Sequence, residues 1–162
     1  MKKLGFADAA DAAEGASLMT AQYKTLFPEQ KEQGVMISSA CPVIVQLVKK
    51  HYPHLLGNLM QSASMMQFHA SYLKKKYPGA EIVYVSPCIS SMSELRDSGN
   101  EVDYVITLEE LAQWMKKEGI SITEKEPEQI AYRSREIAIA DGLTDLLGSV
   151  KGIRKLSVSG ME

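Results

Sequence analysis

Two cysteines, Cys41 and Cys88, are all that this 162-residue chain contains. No Cys-x-x-Cys pair can be drawn from them, so a zinc ribbon or finger is excluded. Charge of one sign is also lacking: 18 Lys and Arg stand against 20 Asp and Glu, a net charge of -2. That balance gives no electrostatic reason to expect DNA, RNA or an anionic membrane as partner. No apolar run approaches the ~18 residues of a membrane span. The opening Met1-Lys2-Lys3-Leu4-Gly5-Phe6 lacks the apolar stretch of a signal peptide. The expected location is therefore the cytoplasm, where two thiols are poor material for a structural disulfide. Internal repeats, low-complexity tracts, a Gly-rich phosphate loop, a nucleophile elbow and a carboxylate pair are absent as well.

What remains is an ordinary globular composition, 45% hydrophobic and 23% charged. The segment from Ala7 to Leu26 is rich in Ala and reads as a helix weakened at Gly15. A polar connector from Pro28 to Gly34 follows. Val35, Met36 and Ile37 form a short apolar run that reads as a buried strand. Pro42 suits the first position of a helix, with Cys41 as the residue before it. Val43, Ile44, Leu47 and Val48 recur at helical spacing until Tyr52-Pro53 breaks the pattern. Ser62 or Ser64 caps the next helix, which carries Met65, Met66, Phe68, His69, Tyr72 and Leu73. Lys74 to Lys76 close it favourably for the helix dipole.

Glu81 to Val85 is the clearest strand, and Ser91-x-x-Glu94 looks like a capping box after it. Asp97 to Asn100 reads as a loop. Val102 to Ile106 is a third strand despite the charge at Asp103. Thr107-x-x-Glu110 is a second capping box, opening a helix with an apolar face of Leu108, Leu111, Trp114 and Met115 that Gly119 ends. Beyond it lie a charged loop from Glu124 to Gln129, a helix from Ser134 to Leu147 and a last strand from Ile153 to Ser159. Strands alternating with helices predict an α/β fold with a mainly parallel sheet, the strands near 35–38, 81–85 and 102–106 lying side by side.

Both cysteines follow a predicted strand and precede a predicted helix. In a parallel sheet such positions share the edge where ligands bind. Cys41 also sits at a helix N-terminus, where the dipole favours an anionic ligand. Two thiols converging on one soft anionic site is one reading. The other is that each is a small hydrophobe buried at a strand end. His51 and His54 read as a solvated helix end, since zinc needs three or four ligands. Met65 and Met66 read as core filler, Lys74 to Lys76 as a solvated last turn, and Glu94 and Glu110 as caps.

Four motifs agree in order and spacing with one family. Ile37-Ser38-Ser39-Ala40-Cys41-Pro42 resembles the Thr-Ser-Cys-Cys-Pro of iron-only hydrogenases. Tyr52-Pro53-His54-Leu55-Leu56-Gly57-Asn58-Leu59 is similar to the Tyr-Pro-Glu-Leu-x-x-Asn-Leu that follows it there. Val85-Ser86-Pro87-Cys88 with Glu94 resembles Met-Pro-Cys-x-x-Lys-x-x-Glu. Val102-Asp103-Tyr104-Val105-Ile106-Thr107-Leu108-Glu109-Glu110-Leu111 resembles Val-Asp-x-Val-Leu-Thr-x-Arg-Glu-Leu. The likeness is specific from Val35 to about Ile120 and loose on both sides.

The resemblance implies a two-lobed α/β domain holding the H-cluster, a 4Fe–4S cubane joined through a cysteine to a di-iron unit. On it, residues 1–162 form a single domain, one lobe of that fold, with 121–162 as part of the second and a longer parent chain expected. Cys41 and Cys88 match two of the four cubane ligands. The later Cys-x-x-x-Cys motif that supplies the other two, one of them the bridge to di-iron, has no counterpart in this sequence. Ala40, Ser64, Met65, Met66, Gln67, Pro87, Ser91 and Glu94 match pocket positions. Ala40 stands where the family has its proton-relay cysteine, and an alanine relays no proton. Ser91 stands where it has the lysine that contacts a cyanide of the di-iron unit. Ala63-Ser64-Met65-Met66-Gln67 replaces its Lys-Ser-Pro-Gln-Gln.

The resemblance thus implies an iron–sulfur domain of an anaerobe that turns over no hydrogen as this chain. Its expected use is redox or hydrogen sensing, or electron transfer with ferredoxin or with other domains of the parent. The rival readings are part of an active hydrogenase and a cluster-free interaction module.

Overall fold

The computed structural model describes residues 1–30, 34–96, 101–121, 133–139, 141–149 and 154–156. The chain divides into two compact units, and each is built from separate stretches. One comprises Ala12–His69 with Tyr132–Glu162, the other Met1–Asp11 with Ala70–Ala131.

The first unit is helical. Helix α1 (Ala12–Gln30) carries Met19, Tyr23 and Phe27 at intervals of four, so their side chains stack on one face. With Met60 and Leu147 they form the buried core, and Met36, Ala40, Met65, Ile137 and Leu143 pack around it. Helix α1 starts later than the Ala-rich pattern suggests. Residues 8–11 form no regular structure, and the Asp8 carboxylate accepts from the Ala9 N–H at 2.9 Å. It also ends later, running through Pro28, which the sequence assigns to a connector. In the last turn a proline forfeits a single backbone bond, and Pro28 lies exposed.

Helix α2 (Pro42–His51) opens as expected, with Cys41 as N-cap and Pro42 in the first turn, and a 3-10 turn over Pro53–Asn58 follows. Helix α3 (Met65–Lys76) is capped by Ser64 and not by Ser62: the Ser64 hydroxyl accepts from the Gln67 N–H at 3.2 Å. The unit boundary falls inside α3, between His69 and Ala70.

Gly15, read as a weak point of α1, is a point of close approach. A Cβ there would lie 2.6 Å from the His69 Cβ and 2.8 Å from the Met65 carbonyl oxygen of α3. The buried His69 ring meets Glu14 beside it, Nε2 to Oε2 3.3 Å.

The run from Val35 to Ser38 does not join a sheet. It makes one isolated parallel bridge, Ile37 to Leu59, with Ile37 N–H donating to Asn58 C=O and Met60 N–H to Ile37 C=O. Its partner Leu59 directly follows the 3-10 turn over Pro53–Asn58, so the opposing segment offers no strand to pair with. The helix expected over 134–147 is in fact a 3-10 turn (Arg133–Ala138) and a short α-helix. Asp141 takes a left-handed backbone, φ 62°, and separates them.

The second unit holds the α/β element. Strand β1 (Val83–Ser86) pairs in parallel with β2 (Tyr104–Thr107), Val83 opposite Tyr104 and Ser86 opposite Thr107. Parallel neighbours need a crossover, and helix α4 (Ser90–Leu95) lies on it. Helix α5 (Leu108–Lys117) follows β2 at once, opened by the expected capping box. The Glu110 N–H donates to Thr107 Oγ1 at 3.1 Å, and Thr107 N–H donates back to the Glu110 carboxylate at 2.7 Å. Gly119, φ 65°, ends it with paired bonds: its N–H reaches Lys116 C=O, and Ile120 N–H reaches Met115 C=O. Trp114 on the apolar face meets the Phe6 ring edge-on at 5.6 Å, while Leu108 stays exposed.

The readings for 97–100 and 124–129 lie outside the described residues. So does most of 153–159, whose described residues 154–156 form no strand.

Asp103, odd in a strand pattern, anchors the edge of this sheet. Its carboxylate accepts from Lys74 Nζ and from the Ile82 N–H, both at 2.6 Å. Lys74 therefore departs from the solvated last turn read for it, and it also donates to Ala80 C=O. The Lys74 bond first and the Ile82 amide second hold the Asp103 carboxyl below its ordinary range. A depressed carboxylate stabilises the fold fully above its unfolded pKa of about 4 and loses that contribution as pH falls through its folded value. Asp103→Asn is therefore expected to flatten the acid limb of a plot of urea midpoint against pH. An unchanged limb would show that the pair adds nothing.

Candidate functional site

The site residues named from the sequence divide between the two units. Ala40, Cys41, Ser64, Met65, Met66 and Gln67 belong to the first; Pro87, Cys88, Ser91 and Glu94 belong to the second. Each group is described within its own unit.

Cys41 is an exposed free thiol. As N-cap of α2 it lends its backbone to the helix start, but its side chain makes no capping bond and so is left uncommitted to the helix. The residues before it are pinned. Ser38 Oγ accepts from the Ala40 N–H at 3.2 Å, a serine turn of the kind that fixes a chain reversal locally. The Ala40 methyl packs against the core that Met19 and Tyr23 build. Ser64 and Met66 are buried, Met65 packs on the core, and the Gln67 amide is spent on the Ser64 cap. The methionines act as the filler their pattern suggests.

Cys88 is likewise exposed and free. It closes a serine turn of its own, Ser86 Oγ accepting from the Cys88 N–H at 3.1 Å. Ser86 is buried and fully engaged: it donates to Cys88 C=O at 3.0 Å and meets Ser91 Oγ at 2.9 Å. Its one proton is given to the carbonyl, so Ser91 is the donor of their bond.

This overturns the capping role read for Ser91. Helix α4 has Ile89 as N-cap with no side-chain capping bond, and Ser91 lies inside it with its hydroxyl turned to Ser86. Pro87 is exposed between the two. Glu94 sits near Tyr84, whose phenol is held above its ordinary pKa by burial first and by the Glu94 charge second. The Cys88 thiol is shifted the other way. Ser90 Oγ lies 2.9 Å from Sγ, and that hydroxyl first and the Ser90 backbone second lower its pKa against a small opposing effect of burial. A thiol so biased is readier to become thiolate, the form that binds metals and attacks electrophiles.

His51 and His54 are exposed, as a solvated helix end requires. Among the described residues no three His, Cys, Asp or Glu side chains group as metal ligands. No described helix is long and apolar enough to cross a membrane. Two features escaped the sequence reading, the Ser86–Ser91 pair and the bonds of Tyr23. Tyr23 lies on the Met19–Phe27 stripe, and that spacing was the signal available.

The chain is similar to known proteins. The family described as iron only hydrogenase large subunit, C-terminal domain, matches residues 1–153. Iron hydrogenase 1 of Clostridium pasteurianum is 27% identical over 167 residues, covering 93% of this chain and 29% of that protein. Among solved structures, the FeFe-hydrogenase HydA(deltaEFG), from a study of stepwise H-cluster assembly, superposes with a TM-score of 0.67 at 25% identity, over 79% of this chain and 37% of that one. An apo form of HydA1 from Chlamydomonas reinhardtii gives a TM-score of 0.64 at 25% identity, over 79% and 38%. The chain thus spans under a third of the curated relative it matches and under two fifths of these structures.

Proposed function

The chain belongs to the family of C-terminal domains found in the large subunits of iron-only hydrogenases, and from that premise we propose that it is an iron–sulfur domain with two cysteines acting as thiolate ligands. Cys41 and Cys88 are those two ligands. A cubane is held by four ligands, usually thiolates, and this sequence has two cysteines. The residues present therefore do not fit a complete 4Fe–4S site. A complete cubane would need two further ligands from outside this sequence. The centre serves electron transfer, or redox or hydrogen sensing, with ferredoxin or other domains of the same protein as redox partner, in the cytoplasm of an anaerobe.

One observation carries the reading: both thiols are free and exposed, Cys41 just after a serine turn and Cys88 at the end of one, and Cys88 is biased toward thiolate. Cysteines kept only as small core residues would be buried.

Iron and acid-labile sulfide should be measured on protein expressed anaerobically from the complete gene. About four iron atoms per chain are expected for one cubane, with marked loss in both Cys41→Ser and Cys88→Ser. A wild-type protein free of iron would leave the cluster-free module as the correct reading.

A further inference from the structure

The Tyr23 hydroxyl lies in the buried core of the first unit, 3.1 Å from Ser38 Oγ and 3.2 Å from Ser39 Oγ. The directions of these bonds can be deduced. Ser39 Oγ donates to the Ser62 carbonyl at 3.1 Å, and a carbonyl only accepts. The single Ser39 proton is thereby used, so Ser39 accepts from Tyr23. The single Tyr23 proton is then used as well, so Ser38 donates to Tyr23. Ser38 in turn accepts from the Ala40 N–H. One directed chain results, running from the Ala40 amide through Ser38, Tyr23 and Ser39 to the Ser62 carbonyl. The far end is tied again to α1, because Ser62 Oγ donates to Gln22 Oε1 at 2.8 Å.

This chain of hydroxyls begins on a backbone amide and ends on a backbone carbonyl. Neither end takes up or releases a proton, so the chain holds its segment in place and conducts nothing. The segment it holds is the one that leads into Cys41. We propose that Tyr23 is a positioning residue for the Cys41 thiol, acting through Ser38 and Ser39. The proposal rests on the reading of Cys41 as a ligand only for its purpose. The tether itself is a property of this chain, and it can be tested with no cluster present.

The test compares two single-thiol forms of the whole chain, Cys88→Ser to report on Cys41 and Cys41→Ser to report on Cys88. Each is alkylated with iodoacetamide at fixed pH and, separately, carries a nitroxide label read by electron paramagnetic resonance. Loss of a buried hydrogen bond shifts a local opening equilibrium by roughly five- to thirtyfold. Tyr23→Phe is expected to raise the Cys41 alkylation rate by about fivefold or more within that range, and to sharpen the Cys41 label spectrum. At Cys88 neither should move. Ser39→Ala cuts the tether between Tyr23 and the Ser62 carbonyl while leaving the Tyr23–Ser38 bond, so it must shift the Cys41 readouts in the same direction even if Tyr23→Phe does not fold. Leu147→Ala cuts the same core but leaves every hydroxyl in place, and it is expected to leave the Cys41 spectrum unchanged. Equal effects at both cysteines, an effect of Leu147→Ala matching that of Ser39→Ala, or no effect of Ser39→Ala would overturn the assignment.

Discussion

Matured anaerobically with a supplied di-iron precursor, this 162-residue chain is expected to evolve no hydrogen from a reduced dye above a Cys41→Ala control. Three separate shortages lead to this outcome. Two cysteines leave half of a four-ligand cubane unprovided, including the bridge to di-iron that the family takes from a later motif. At residue 40 a methyl group packed on the core replaces the thiol that the family uses to pass protons. At residue 91 a buried serine replaces a lysine, and its hydroxyl is committed to Ser86 at 2.9 Å, so it has no free proton to offer a cyanide. A positioned acid–base group alone contributes roughly 10²–10⁴-fold. Turnover above the control would refute the reading of these positions. If protein from the complete gene evolves hydrogen and Ala40→Cys accelerates it, the parent is an enzyme with an impaired proton path, and the sensory role falls.

The largest effect on stability is expected at Gly15. In an exposed helix Gly→Ala gains about 1 kcal/mol through propensity. Here the new methyl would press on the His69 Cβ at 2.6 Å and on the Met65 carbonyl oxygen at 2.8 Å. One of these neighbours is backbone, so relief requires α1 and α3 to separate. Overpacking of this kind costs about 1–3 kcal/mol, and the separation would also pull the His69–Glu14 contact apart. Gly15→Ala should therefore lower the thermal midpoint, by about 2–4 °C for each net kcal/mol lost in a chain of this size. Gly15→Leu should prevent the two helices from packing at all. A midpoint that rises in Gly15→Ala would mean that the crossing yields to a methyl group at no cost.

The parts of the fold that could be read from the sequence are those fixed by local chemistry. Helix α5 has its reciprocal cap in Thr107 and Glu110 and its stop in Gly119, all within reach of their own backbone. Helix α2 has Pro42 to mark its start. The misreadings share one cause, a partner distant in sequence or a backbone choice with no local signature. Val35 to Ser38 looks like a strand until its partner is known to be Leu59 alone. Ser91 looks like a cap until Ser86 claims its hydroxyl. The 134–147 pattern looks continuous because nothing in its composition marks Asp141 for a left-handed backbone. At the site, the two cysteines were visible as motif positions. The serine turns that lead into them were not, because serine at those places reads equally well as plain loop.

The interleaved order of the two units has a consequence for how the protein is made. Met19, Tyr23 and Phe27 leave the ribosome long before Leu147, which closes their core only after the whole of 70–131 has been synthesised. The stretch from Met1 to Asp11 likewise waits for residues beyond Ala70 before its own unit exists. The unit of Met1–Asp11 with Ala70–Ala131 is complete before residues 132–162 are made, whereas the other must wait for them. Such wide sequence separation slows folding, because loop closure must precede the contacts that reward it. During that interval the apolar stripe of α1 is open to non-native association, and both thiols are open to oxidation. Chaperone and reductant supplied during synthesis should therefore raise the yield of native protein more than the same additions made after release.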